Sequence, residues 1–296
     1  MAPPSAYSFI RYLSAKKTVD DRALNAHVWE TLRGAVCADE AALGGRPLRV
    51  LEVGAGIGTM VERVVERGLL GAADYTVLDE QPDNLAAARA RLTPKTQPDG
   101  EQRLRLAFLA GDLLEYTARP EQAGAWDLLI AHAVLDLLPL SEALPQLLRV
   151  LRPGGLFYFT INFDGATLFQ PELDPALDAQ IEALYHRSMD ERITHGRPSG
   201  DSRTGRHLFG HLRAAGASLL AAGGSDWAVF AGPDGYPADE AYFLHFIIHT
   251  LAGALRGHPE LEAARFADWI ARRHDQIERG ELVYLAHQID FVGRAP

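Results

Sequence analysis

Cysteine is all but missing from this chain, which has one, Cys37, in 296 residues. A lone thiol excludes a disulfide framework and any metal site built on cysteine pairs, and its apolar surroundings read as those of a buried bystander. Long apolar runs are missing too: no stretch of about 18 apolar residues occurs, the length a membrane helix needs. The start, MAPPSAYSFIRYL, lacks the apolar core of a secretory leader. The expectation is a soluble, cytoplasmic protein with no membrane partner. Positive charge is scarce, with 29 basic against 39 acidic residues and a formal charge of −10. A phosphate backbone would be repelled on average, so nucleic acid is disfavoured as a partner. Neither a repeat nor a low-complexity tract is evident, and TPKTQPDGEQ at 93–102 is the clearest linker.

What the chain does have is VLEVGAGIG at 50–58. An apolar strand carrying Glu52 runs into alternating glycines at Gly54, Gly56 and Gly58, so bare backbone amides face a cleft at the start of a helix. A nucleoside-like ligand suits such a turn. The dinucleotide fingerprint would put its third glycine where Thr59 stands, and Glu52 would repel a pyrophosphate but attract an ammonium. With E-x-G-x-G-x-G the segment resembles motif I of the class I S-adenosylmethionine-dependent methyltransferases.

The following segments keep to that resemblance. YTVLD at 75–79 is a second strand ending in Asp79, placed to accept ribose hydroxyls, with Glu80 and Gln81 beside it before a helix opening at Pro82. LRLAFLAGD at 104–112 is a third strand; in this family an acidic residue at Asp112, flanked by Gly111 and Leu113, takes the adenine amine. WDLLIAH at 126–132 is a fourth, SEALPQLLRVLRPGG a helix stopped by Gly154 and Gly155, and LFYFTIN a fifth strand. The resemblance spans roughly residues 48–163. It implies an α/β fold, a seven-stranded Rossmann-like sheet with helices on both faces. S-adenosylmethionine would be the cofactor, S-adenosylhomocysteine the product, and Glu52, Gly54, Ala55, Gly56, Gly58, Asp79, Glu80, Gln81, Gly111, Asp112, Leu113 and His132 the cofactor-binding residues.

A single domain over 1–296 is expected. Residues 1–45 form a helical lid, 46–163 the cofactor core, 164–235 a helical insertion and strand six, 236–280 a second helical insertion, and 281–296 strand seven, antiparallel beside strand six. Strand six is read from ASLLAAGGSDWAVF with a bulge at Gly223-Gly224. In the lid, one helix holds Tyr7 to Leu13 and a second opens at Asp20, with charged residues between them; Tyr12 and Arg22 are candidates for the methionine carboxylate, against the plainer reading of a solvated charge cluster. In the second insertion Tyr242, His245 and His249 recur at i, i+3 and i+7 and are substrate candidates on one helix stripe. No metal is expected, because the glutamate of a zincin pair is replaced by Phe246, and His207 and His211 repeat only the spacing. His132, just past strand four, is the candidate general base, with His245 second; packing against the cofactor is the alternative for His132.

The expected reaction is methyl transfer to O, N or C of a small-molecule acceptor. A protein methyltransferase, a non-catalytic cofactor-binding module or partner subunit, and aminopropyl transfer through Asp136 remain as alternatives. A homodimer is left open.

Overall fold

A computed structural model describes residues 4–93, 103–194 and 196–296. Helices α1 (Phe9–Ala23) and α2 (Ala26–Ala42) precede β1 (Leu48–Val53), α3 (Thr59–Glu66), β2 (Ala72–Asp79), α4 (Pro82–Leu92) and β3 (Arg103–Ala110). Next come α5 (Leu113–Ala118), β4 (Trp126–His132), α6 (Leu140–Arg149), the long β5 (Leu151–Gln170) and α7 (Pro175–Asp190). A short ribbon of β6 (Ile193–Thr194) and β7 (Arg197–Pro198) leads to α8 (Thr204–Ala214), β8 (Ser218–Gly224) and β9 (Trp227–Val229). Helices α9 (Glu240–Leu255) and α10 (Ala263–Glu278) then precede the last strand, β10 (Val283–Arg294). From residue 94 on, the linker expected at 93–102 lies outside the described residues.

The sheet runs β3-β2-β1-β4-β5-β10-β8, with β9 paired to the first part of β10. Strands β1 to β5 are parallel, and β10 runs antiparallel between β5 and β8. The inner parallel strands β1 and β4 are largely apolar because both faces are covered, while the edge strand β3 alternates half-buried and exposed residues. On one face lie Val28, Leu32 and Val36 of α2, Met60 and Val64 of α3, and Ala88 and Leu92 of α4. On the other, Leu144, Leu147 and Leu148 of α6 and Leu208 and Leu212 of α8 meet Phe157, Phe159 and Phe291. The chain leaves β1 for β2 on one side and returns to β4 on the other, so a crevice opens where the order reverses, outside the strands' carboxyl ends.

What closes that crevice comes from the ends of the chain. Strand β5 continues ten residues past Thr160, the partner of the last residue of β4, and its extension pairs with β10, which also holds β9. Helix α7 packs on β5, α1 on β9 and on α9, and α9 on α7 and α10, a cap built from both insertions and the first N-terminal helix.

Several boundaries differ from expectation. The first helix runs on to Ala23 and the break falls at Leu24–Asn25, where Asn25 Oδ1 accepts Val28 N–H at 3.1 Å and Asp290 takes the Asn25 N–H at 2.9 Å. The charged residues expected between helices are therefore helical, paired as Lys16–Asp20 and Lys17–Asp21. Strand six is two strands. No bulge occurs at Gly223 and Gly224, which stay in register with Asp290 and Ile289; the shifts fall at other β10 pairs. A Cβ on Gly223 would stand 2.4 Å from Asn25 Nδ2, so glycine there admits the start of α2. Helix α6 ends at Arg149 and hands over to β5, ahead of Gly154-Gly155. Cys37 is exposed, because the buried stripe of α2 runs through its neighbour Val36.

Candidate functional site

The glycine turn joins β1 to α3 with Gly54, Gly56 and Gly58 at φ of 62°, 55° and 78°, a region side chains other than glycine rarely adopt. A Cβ on Gly54 would run into Val134 at 2.7 Å and one on Gly58 into Leu92 at 2.7 Å, so internal packing demands those two. Gly56 faces outward. A Cβ there would press only on Leu13 Cδ1 of α1, at 3.2 Å. Ala55 N–H donates to Leu78 O at 3.0 Å, and Gly58, at the head of α3, offers no side chain to the helix's free N–H groups.

Asp79 closes β2 beside this turn. Its Oδ2 accepts Gly56 N–H at 2.7 Å, and its Oδ1 accepts Gln81 N–H at 2.9 Å and Asn84 Nδ2 at 3.0 Å. Three acceptor sites of about four on a carboxylate are filled, leaving room for a further donor. Glu80 is exposed at the same edge. At the end of β3, Gly111 N–H reaches Asp79 O at 3.1 Å, Asp112 caps α5 by accepting Glu115 N–H at 2.7 Å, and Leu113 packs on the core. Successive strand ends thus carry Gly56, Asp79 and Asp112 into one crevice.

Glu52 lies under the turn, buried, accepting the Tyr75 hydroxyl. Burial pushes its carboxyl up to about 7, while Tyr75 and Arg63 pull the other way.

His132, the candidate general base, forms a joint between sheet and cap. Its Nδ1 stands 2.7 Å from Thr160 Oγ1 and its Nε2 3.0 Å from Asp20 Oδ2 on α1. Nε2 also stands 3.1 Å from Arg63 Nη1, a donor, so it faces an acceptor and a donor at once and these contacts alone do not assign the ring proton. Asp20 Oδ2 also takes Lys16 Nζ at 2.7 Å and faces Arg63 Nη2 at 3.4 Å, while Oδ1 accepts the Trp227 indole N–H at 2.9 Å. Burial would raise the Asp20 carboxyl, but Lys16, His132 and Arg63 outweigh it and hold it far below the usual range. Burial, with Lys16 and Arg63 nearby, lowers His132 to about 4 against the pull of Asp20. Both ring nitrogens are committed inside the protein, and the imidazole is neutral at pH 7.

The cap candidates separate. Arg22 forms a two-pronged pair with the buried Glu240 at 2.6 and 2.7 Å, so its guanidinium is spent locking α1 to α9 and is not offered to a carboxylate. Tyr12 stacks on Phe246 and Phe243 with centroids 4.2 and 5.6 Å away. Tyr242 is buried with its hydroxyl 2.6 Å from Ser8 N, and His249 stacks on Tyr7 at 3.9 Å. His245 does not share their direction. It turns to α10, with Nδ1 2.8 Å from His274 Nδ1 and Nε2 2.8 Å from Glu278 Oε1, and burial lowers its pKa. Among the described residues, no group of three or more His, Cys, Asp or Glu side chains is arranged to hold a metal.

Sequence reasoning did not single out a second polar set under the cap. Tyr12, Tyr185 of α7, Tyr284 of β10 and Asp136 beyond β4 lie within electrostatic reach of one another, with Lys16 and Arg192 at the edge. Burial raises Asp136 and pushes Tyr185 up to about 12. Asp136 Oδ1 and Arg192 Nη1 are buried without a hydrogen-bond partner. Tyr185 and Arg192 stood in the sequence only as members of a helix, and no local pattern marked them.

Residues 50–155 match the family model described as "Methyltransferase domain". A malonyl-[acyl-carrier protein] O-methyltransferase of Chlorobium phaeovibrioides is 28% identical over 208 residues, covering 64% of this chain and 70% of that protein. Highly reducing polyketide synthase 2 of Gibberella zeae is 36% identical over 141 residues, 43% of this chain, which thus spans only 5% of that enzyme. Among solved structures, YjhP of E. coli aligns with a TM-score of 0.48 at 16% identity, over 96% of this chain and 99% of that one. No helix among the described residues is long and apolar enough to cross a membrane.

Proposed function

The chain belongs to the class I S-adenosylmethionine-dependent methyltransferases, and on that premise we propose that it methylates a small molecule held between the glycine turn and the cap. The observation that carries this reading is the crossing of α1 over the turn, with Leu13 against the bare face of Gly56. A crevice roofed by a helix suits a small acceptor group better than a folded protein segment, and the Chlorobium relative is named for O-methylation of a malonyl group borne on an acyl-carrier protein.

The residues present fit the cofactor: a turn without side chains, an uncapped helix start, and carboxylates at successive strand ends. We assign to it the backbone of Gly54 to Gly58, Asp79 with Glu80 and Gln81, and Gly111 to Leu113, with Glu52 as the carboxyl for its ammonium group. The sulfonium supplies an activated methyl. The chain's own contribution is to orient an acceptor in line with it and exclude water, worth up to about 7–11 kcal/mol in favourable cases. His132 holds the cap and takes no proton from the acceptor.

Titration calorimetry with S-adenosylhomocysteine tests the assignment. Wild type binds it, and Asp79→Asn weakens binding by about 1.5–3 kcal/mol. Tight binding of NADH and none of S-adenosylhomocysteine would overturn it. Transfer of labelled methyl into a metabolite extract then tests catalysis against a non-catalytic binding module.

A further inference from the structure

Arg192 is an oddity of charge placement. Residues 187–206 hold five arginines against three acids in a chain whose formal charge is −10. Three of those arginines are spent: Arg187 on Glu260, Arg197 on Glu142 and Arg206 on Asp164. Arg203 is exposed and needs no partner. Arg192 is half-buried, its Nη1 is sealed from solvent, and its guanidinium makes neither an ion pair nor a hydrogen bond among the described residues. A guanidinium nitrogen sealed from solvent without a hydrogen bond is unfavourable unless something completes it.

Its surroundings are equally unfinished. Asp136 has an oxygen buried and unpartnered, and feels Arg192 without bonding to it. Tyr284 is 4% exposed and lies within electrostatic reach of Tyr185. Tyr12 and Tyr185 stand beside it, and Tyr185 is within reach of both charges. These groups come from α1, α7, β10 and the turn after β4, so no single element explains the gap by its own geometry. Buried polar groups are normally satisfied, and Asp136 Oδ1 and Arg192 Nη1 are two exceptions within electrostatic reach of each other.

We propose that Arg192 is the specificity residue of the acceptor site and grips an oxyanion, a carboxylate or a phosphate, on the methyl acceptor. Asp136 and the tyrosines bind the acceptor's neutral polar end. The anion supplies the charge that Arg192 lacks, and Asp136 keeps the guanidinium from being left wholly uncompensated when the site is empty. The inference rests on the methyltransferase reading and narrows its acceptor to anionic small molecules.

The test uses the full chain saturated with S-adenosylhomocysteine, with malonate and inorganic phosphate as probes followed by titration calorimetry. Wild type is expected to bind at least one, and the tighter of the two separates a carboxylate from a phosphate site. Arg192→Met should weaken that probe at least tenfold while leaving S-adenosylhomocysteine affinity unchanged. Arg203→Met, removing an exposed charge from the same segment, should change probe affinity less than twofold. Asp136→Asn should tighten the probe, because it removes a competing carboxyl. Failure of both probes to bind, or equal weakening by the two arginine variants, overturns the proposal. Failure of S-adenosylhomocysteine itself to bind overturns the methyltransferase reading instead.

Discussion

Asp20 of α1 and His132 at the end of β4 meet at 3.0 Å, 112 residues apart in sequence, and this contact joins the cap to the edge of the crevice. Asp20 is 1% exposed and receives Lys16, Arg63 and Trp227 besides the imidazole. A carboxylate so surrounded is strongly ionised, and removing it strands two buried cations. The cap is therefore held shut partly by charge.

Asp20→Ala is expected to cost about 3–5 kcal/mol, the usual penalty for breaking a buried ion pair from one side. Urea unfolding checks it. Lys17→Ala, on the half-exposed pair with Asp21 and Glu66, is expected to cost under about 1 kcal/mol. Equal losses in the two variants would contradict the account of a buried latch.

The latch should also be acid-labile. His132 is lowered from 6.5 to about 4, so the folded state holds fewer imidazole protons than the unfolded chain. The stability this contributes is present above pH 6.5 and is lost as pH falls through 4; a shift of this size corresponds to about 3 kcal/mol. Asp20, also lowered, loses its share at still lower pH. Thermal unfolding between pH 7.5 and 4 should show a fall in midpoint that His132→Gln reduces. An identical pH profile in the variant would count against the assignment.

Cofactor binding should release a proton near neutrality. Glu52 sits at about 7 because burial disfavours its charge; an ammonium beside it would favour the ionised form. Affinity for S-adenosylhomocysteine should then fall as pH drops below 7, by up to about tenfold per unit. Glu52→Gln should bind more weakly at pH 8 and lose the dependence. A wild-type affinity flat from pH 5.5 to 8 would remove Glu52 from the site.

If the cap closes over bound ligand, S-adenosylhomocysteine should slow amide exchange in α1 and in 236–280. Leu13→Ala, which takes away the side chain against Gly56, should raise exchange in α1 of the ligand-free protein. Protection confined to the glycine turn and α3 would show that the cap is a rigid scaffold.

His132→Gln is not expected to abolish turnover through loss of a base. A pH–rate profile that keeps its shape in the variant, with a changed KM, fits a positioning role; loss of a single ionisation from the profile, with unchanged KM and stability, would restore the base assignment.

The core was legible because local chemistry fixed it. Gly54, Gly56 and Gly58 need conformations that side chains resist, Asp79 and Asp112 end apolar runs, and these patterns repeat at the spacing of a parallel sheet. Helix limits were less legible: Asp20 and Asp21 read as loop charges, since nothing nearby in sequence reveals that Arg63 and His132 receive them. The same applies to Arg22, whose partner Glu240 lies 218 residues away. The stripe of Tyr242, His245 and His249 was correct in spacing, but 60° of helix rotation between the first two sends His245 to α10.

By itself the sequence determined the class of fold, because glycine conformation, apolar alternation and the order of strand ends are properties of short segments, while the cofactor followed from the resemblance of those segments to a known family. Only the tertiary structure decided what each charged residue does. The meaning of His132, Arg22, Asp136 and Arg192 depends on which distant groups share their low-dielectric surroundings, and a buried charge takes its role from its neighbours in space.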